Sequence, residues 1–187
     1  MYWYKSKALF IVAVSCCALI IAALQGCSKP AIKETGAKLT YFDIKGYFER
    51  DSARLTKLNK PVYKTVMHNG VIESKTVHIT NWGTEFAFFE ASDINRPAWK
   101  NSYTVVADSD ITIYLAKDSD LFTREVMIKQ LNGKLKWIRI LNHSSKKNRF
   151  YSNGETLSYF PDSLYLIQKR QSIRLLGTNR YVIKGLF

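Results

Sequence analysis

The chain is poor in the residue types that build reactive sites. Its three cysteines, Cys16, Cys17 and Cys27, all fall within the first 27 positions, so nothing beyond Cys27 can form a disulfide or hold a metal through thiolates. Its three histidines, His68, His78 and His143, lie in or beside strand-like stretches without metal-ligand spacing. Gly-x-Ser-x-Gly, Walker and Gly-x-Gly-x-x-Gly patterns are missing. Asp108-Ser109-Asp110 and Asp118-Ser119-Asp120 open like calcium loops but lack the glycine and distal glutamate, so turn formation explains them better. Acidic residues are scarce too, with 15 Asp and Glu against 28 Lys and Arg and none before Glu34. The expectation is a protein that is not an enzyme, with no catalytic residue, no metal ligand and no cofactor.

What is present begins at the N-terminus. Lys5 and Lys7 precede a run from Ala8 to Leu24 that is apolar except for Ser15, and the run ends in Leu24-Gln25-Gly26-Cys27. That charge order is the grammar of an export signal. The run also approaches the roughly 20 apolar residues of a membrane-spanning anchor, but Cys27 directly behind the small Gly26 favours cleavage. Leu-x-Gly-Cys resembles the lipobox of bacterial lipoproteins, which implies removal of residues 1–26 and acylation of Cys27. In such lipoproteins an Asp after the cysteine signals inner-membrane retention. Ser28 stands there instead, which implies the outer membrane, and the basic stretch that follows favours its periplasmic side.

Without Lys5 and Lys7, 26 basic side chains face 15 acidic ones, a formal +11. So basic a domain suits an anionic surface, and export argues against nucleic acid. The expected partners are the membrane, through the lipid anchor, and a lipid or an envelope protein. Residues 27–39 contain Pro30, Gly36 and three lysines and read as a tether. A single β-rich domain is expected over residues 40–187, long enough to bury about 70 % of its unfolded surface.

Within that domain, Thr40 and Asp43 have capping-box spacing. Ile44, Tyr47, Phe48, Leu55 and Leu58 then recur at helical intervals. Trp82, Phe86 and Phe89 predict a second short helix over 82–91. Asn69-Gly70, Asn132-Gly133 and Asn153-Gly154 predict three two-residue hairpins, because both residues of a type I′ turn accept positive φ. Further strands are expected at 103–107, 111–116, 164–169, 173–176 and 181–187. The fold class is therefore α+β and predominantly antiparallel β, a meander curling into an open or closed barrel or half-barrel with one or two covering helices.

Two candidate sites follow. A two-residue turn at Asn132-Gly133 places Ile128 opposite Trp137 and Lys129 opposite Lys136, so Val126, Ile128, Leu135 and Trp137 would line one apolar face able to hold a lipid or other amphiphile. Lys169, Arg170, Arg174 and Arg180, with Lys184 and the Lys146, Lys147 and Arg149 run, form a candidate basic patch for phosphate or carboxylate groups. Trp99 is expected to plug the end of the core.

Phe42-Asp43-Ile44-Lys45-Gly46 and Asp93-Ile94-Asn95-Arg96-Pro97-Ala98-Trp99 resemble segments of a family of small bacterial lipoproteins that lends no activity or site residue. The helix-plus-meander order resembles the outer-membrane lipoprotein carriers and receptors, whose half-barrels hold acyl chains under helical lids. The function this implies is a non-catalytic envelope lipoprotein binding a hydrophobic or amphiphilic ligand on a curved sheet. The alternative is an assembly lipoprotein that docks an envelope protein or anionic glycan through a basic face.

Overall fold

A computed structural model describes residues 39–144 and 150–187. The expected signal, Cys27, the tether up to residue 38, and Lys146, Lys147 and Arg149 lie outside the described residues.

Asp43, not Thr40, opens helix α1 (Ile44–Leu58). Its Oδ1 accepts the Gly46 amide hydrogen at 2.8 Å, which satisfies one of the free N–H groups of the first turn. A Cβ on residue 46 would sit 2.1 Å from Asp43 Oδ2, so this cap needs glycine there. Asn59 ends the helix in the left-handed region at φ 44. Ile44, Phe48, Asp51, Ser52 and Leu55 form the buried stripe, whereas Leu58, expected inside, is exposed.

The chain then runs through β1 (Pro61–His68) and β2 (Val71–His78), and through two short helices, α2 (Trp82–Glu85) and α3 (Ala87–Ala91). A 3₁₀ turn at Pro97–Trp99 leads to β3 (Tyr103–Asp108), β4 (Ile111–Ala116), β5 (Thr123–Leu131) and β6 (Lys134–His143). The last three strands are β7 (Tyr151–Phe160), β8 (Leu164–Ile173) and β9 (Gly177–Leu186). All nine join one antiparallel sheet in the order β2-β1-β9-β8-β7-β6-β5-β4-β3. The seven strands from β3 to β9 are a plain meander, and the first hairpin adds to its far edge by pairing β1 with β9. The sheet does not close: β2 and β3 remain edges. It is an open half-barrel with covering helices.

Asn69-Gly70 (φ 49 and 93) and Asn132-Gly133 (φ 51 and 72) are hairpin turns, as expected. Asn153-Gly154 is not. Both residues lie inside β7, paired to Gln171 and Arg170. The expected helix over 82–91 is broken at Phe86 (φ −94, ψ 7) into α2 and α3. Residues 173–176 are the end of β8 and a turn, not a strand of their own.

The register of the second hairpin also departs from the ideal. Leu131 pairs with Lys134 and Gln130 with Leu135, but Lys129 then pairs with Trp137 and Ile128 with Ile138. Lys136 is thus the extra residue of a β-bulge on β6. The bulge spares Lys129 and Lys136 a like-charge opposition and turns Ile138 and Ile140 into the core.

The core is aromatic where the helices meet the sheet. The Phe48 ring stacks on Phe89 at 4.6 Å and meets Phe86 and Tyr159 edge-on at 5.1 and 5.2 Å. Trp82 stacks on Phe187 at 5.6 Å. Such pairs add about 0.5–1.5 kcal/mol each beyond their area. The Asn95 side chain fastens the crossover to the start of α1, accepting from Tyr41 N at 2.9 Å and donating to the Phe42 carbonyl at 2.8 Å. Trp99 is half-buried against the same core, with Arg96 4.5 Å from its ring.

Candidate functional site

The inner face is occupied. Val126, Ile128 and Leu135 are buried there as expected, packed in one cluster with Phe48, Phe89 and Ile94. Trp137 is not among them, because the bulge rotates it to the outer face, where it borders a shallow recess with Arg139 and Phe160. The four residues expected to line one apolar face are therefore split between two.

The expected basic patch divides the same way, by strand parity. Lys169 and Arg170 are neighbours on β8 and so point to opposite faces. Lys169 faces inward, where Glu155 Oε1 lies 3.1 Å from its Nζ and the Phe88 ring lies below it at 5.0 Å. Glu155 is buried and also accepts from Asn142 Nδ2 at 3.3 Å and Asn153 Nδ2 at 3.2 Å. Asn142 reaches on to Ser92 Oγ at 2.8 Å. Here Asn153 finds its role: its side chain holds the buried carboxylate, which a turn position would not allow. The charge of Lys169 is thereby absorbed inside the fold.

Arg170 and Arg180 are directly opposite each other across β8 and β9, on the outer face. Continuing across the sheet, Arg170 pairs with Gly154 and Gly154 with His143. The neighbouring rung runs from Met67 through Val182, Gln168 and Thr156 to Leu141. The two rungs bound a depression of about 480 Å³. Gly154 leaves bare backbone on its floor, where a Cβ would meet His143 Nδ1 at an ordinary contact distance of 3.5 Å. One side of the depression is cationic, and the other carries the apolar Met67, Val182 and Leu141 with Gln168 and Thr156 between Val182 and Leu141. Neither arginine meets a carboxylate among the described residues, so both keep their donors for an outside anion. Arg174 stands apart from the depression, at the β8–β9 turn.

Sequence reasoning missed Met67, Leu141, His143 and Val182. The alternation of β9 was the available signal, because Arg180, Val182 and Lys184 share one parity. The histidines stay separate: His68 stacks on Tyr181 at 4.4 Å and accompanies Asn69 at 3.2 Å, while His143 borders the depression. Among the described residues no group of three His, Cys, Asp or Glu side chains is arranged to hold a metal ion. No protein-family model, curated protein or solved structure matches the chain.

Proposed function

We propose that this chain is a non-catalytic lipoprotein of the bacterial cell envelope, held by acylated Cys27 at the periplasmic side of the outer membrane, and that it binds an anionic amphiphile on the outer face of its sheet. The Arg170–Arg180 pair beside the apolar side chains of Met67, Val182 and Leu141 carries the reading. A carboxylate or phosphate would take the guanidinium donors, and an attached acyl chain would lie against Met67 and Val182. The lipobox supports the address, and the filled inner face moves the ligand from the concave to the convex side. Arg139 and Lys184, on the same outer face, favour the second reading, in which an acidic envelope protein or anionic glycan docks there.

The test is photocrosslinking of the full chain in its own membrane with a photoreactive fatty acid, followed by peptide mapping. Adducts on peptides holding Met67, Leu141 or Val182, lost in the R170E/R180E variant, support the proposal. Adducts confined to the anchor, or unaffected by the double reversal, overturn it. Intact mass from the same preparation reports whether Cys27 is acylated.

A further inference from the structure

The β8–β9 hairpin ends in a three-residue loop, Arg174-Leu175-Leu176, closed by Gly177 at φ 88 and by a Leu176 N to Ile173 O bond of 3.0 Å. At its tip Leu175 is 90 % and Leu176 78 % exposed. Phe150, 67 % exposed, belongs to the same tip, because its carbonyl accepts the Arg174 amide at 3.0 Å. Leu175 and Leu176 project beyond the end of the sheet and forgo the burial free energy that apolar side chains gain out of water. A folded domain rarely leaves them so without a use.

The charge around the tip identifies the partner. Residues 164–187 contain no Asp or Glu but hold Lys169, Arg170, Arg174, Arg180 and Lys184. Glu155 neutralises Lys169. Arg174 sits in the loop, while Arg170 and Arg180 form the fourth rung below it, with no carboxylate partner among the described residues. Apolar side chains at the extremity with guanidinium groups set back behind them match the layering of an anionic bilayer, acyl region first and phosphates above.

The route of the chain agrees. Tyr41 packs at the start of β3, its hydroxyl accepting the Tyr103 amide at 3.3 Å. In an antiparallel meander the start of β3 and the end of β8 are at the same end of the sheet. Five inter-strand steps separate them, about 24 Å at ~4.8 Å each. The twelve residues from Cys27 to Leu39 reach about 40 Å when extended. A lipid on Cys27 and the hairpin tip can therefore occupy one membrane surface together.

We propose that Leu175 and Leu176 seat in the interfacial layer of the anionic membrane that holds the chain, with Arg174 on lipid phosphates and Arg170 and Arg180 just above them. The identity of that membrane rests on the lipoprotein reading; the tip contact does not. Seated this way, the domain is held upright, and the outer-face depression opens directly above the headgroups.

Amide hydrogen exchange on the full chain tests it, in vesicles of phosphatidylcholine alone and of phosphatidylcholine mixed with phosphatidylglycerol. Exchange at Leu175 and Leu176 is expected to slow by about tenfold on the anionic vesicles only, and the L175S/L176S and R174E variants are expected to lose the slowing while the rest of the exchange map stays the same. Equal exchange on both vesicles, or slowing that survives L175S/L176S, overturns the proposal. Slowing that arises in detergent and grows with protein concentration identifies a second copy of the chain as the occupant and overturns it as well. A Cys27 found without an acyl group by intact mass defeats the lipoprotein reading and leaves the tip result to stand on its own.

Discussion

Tyr159, inside β7, donates its hydroxyl hydrogen to Asp51 Oδ2 on α1, a link across 108 residues that fastens the helix to the sheet. Asp51 is buried, and its other oxygen accepts from Arg54 Nε at 2.6 Å. Arg54 in turn reaches Asp162 in the β7–β8 turn at 2.6 Å. A second bond of the same kind lies alongside, Tyr165 Oη to Glu85 Oε1 at 2.5 Å, and Glu85 also binds Lys64 at 2.7 Å. Helices α1 and α2 are thus each fixed to the sheet by a tyrosine–carboxylate bond inside an apolar surround, where an unpaired carboxylate would be costly.

Tyr159→Phe is therefore expected to lose about 1–3 kcal/mol, the cost of leaving a buried acceptor short of one donor. Asp51→Asn should cost a similar amount, and the double variant less than the sum. A double-mutant cycle by urea unfolding reads the coupling; strict additivity would mean that the bond contributes nothing.

The same tyrosines shape alkaline unfolding. Burial pushes the Tyr103 hydroxyl up to about 12. Tyr159 and Tyr165 are raised further, first by burial and then by the carboxylates they donate to. Because the folded state holds these protons more tightly than the unfolded state, their contribution is complete below the ordinary tyrosine value near 10 and is lost as pH rises through the raised values. Stability should fall steeply above about pH 10, and the fall should be shallower in Tyr159→Phe and Tyr165→Phe. A thermal-melt series across that range checks the slope.

Two glycines that follow asparagines should respond oppositely to one substitution. Gly133 has φ 72 and open space around it, so Gly133→Val is expected to cost about 1–3 kcal/mol through backbone strain alone. Gly154 has ordinary strand geometry, and Gly154→Val should stay within about 0.5 kcal/mol of the parent. Its effect should appear instead as weaker fatty-acid crosslinking, since the new side chain fills the floor between His143 and Arg170. Chemical denaturation of the two variants side by side separates turn from strand.

Lys169 and Arg170 provide a parallel contrast. Removing Lys169 leaves the buried Glu155 without its counter-charge, so Lys169→Met should lose roughly 2–4 kcal/mol. Arg170→Met, one residue on but on the other face, should be near neutral in stability. Equal effects of the two changes on the unfolding midpoint would show that the parity assignment is wrong.

Much of this architecture was legible in the residues, because the features that encode it are local. The i, i+4, i+11 spacing of Ile44, Phe48 and Leu55 describes α1, and two of three Asn-Gly pairs mark real turns. The misreadings arise where tertiary context prevails. Asn153-Gly154 has turn chemistry, but Glu155 needs the Asn153 amide inside the fold. Nothing around Lys136 announces a bulge, so the expected Ile128–Trp137 pairing is one residue out and Trp137 changes face. That β1 pairs with β9 is decided by which edge is left when the meander is complete, which no short window contains. The basic patch was half legible: strand alternation alone separates Lys169 from Arg170, and only the β8–β9 register brings Arg170 to Arg180.

The β1–β9 pairing also imposes an order in time. Asn69 Oδ1 accepts the Arg180 amide at 2.8 Å, and these residues are 111 positions apart. A chain delivered N-terminus first presents α1 and the first hairpin long before their seats exist, since Phe48 awaits Tyr159 and the edge of β1 awaits residues 177–186. Loop closure over that separation is slow, and the half-delivered domain has no stable resting structure. The fold therefore closes from its C-terminal end: α1 and the first hairpin find their seats only once the last strand has been made.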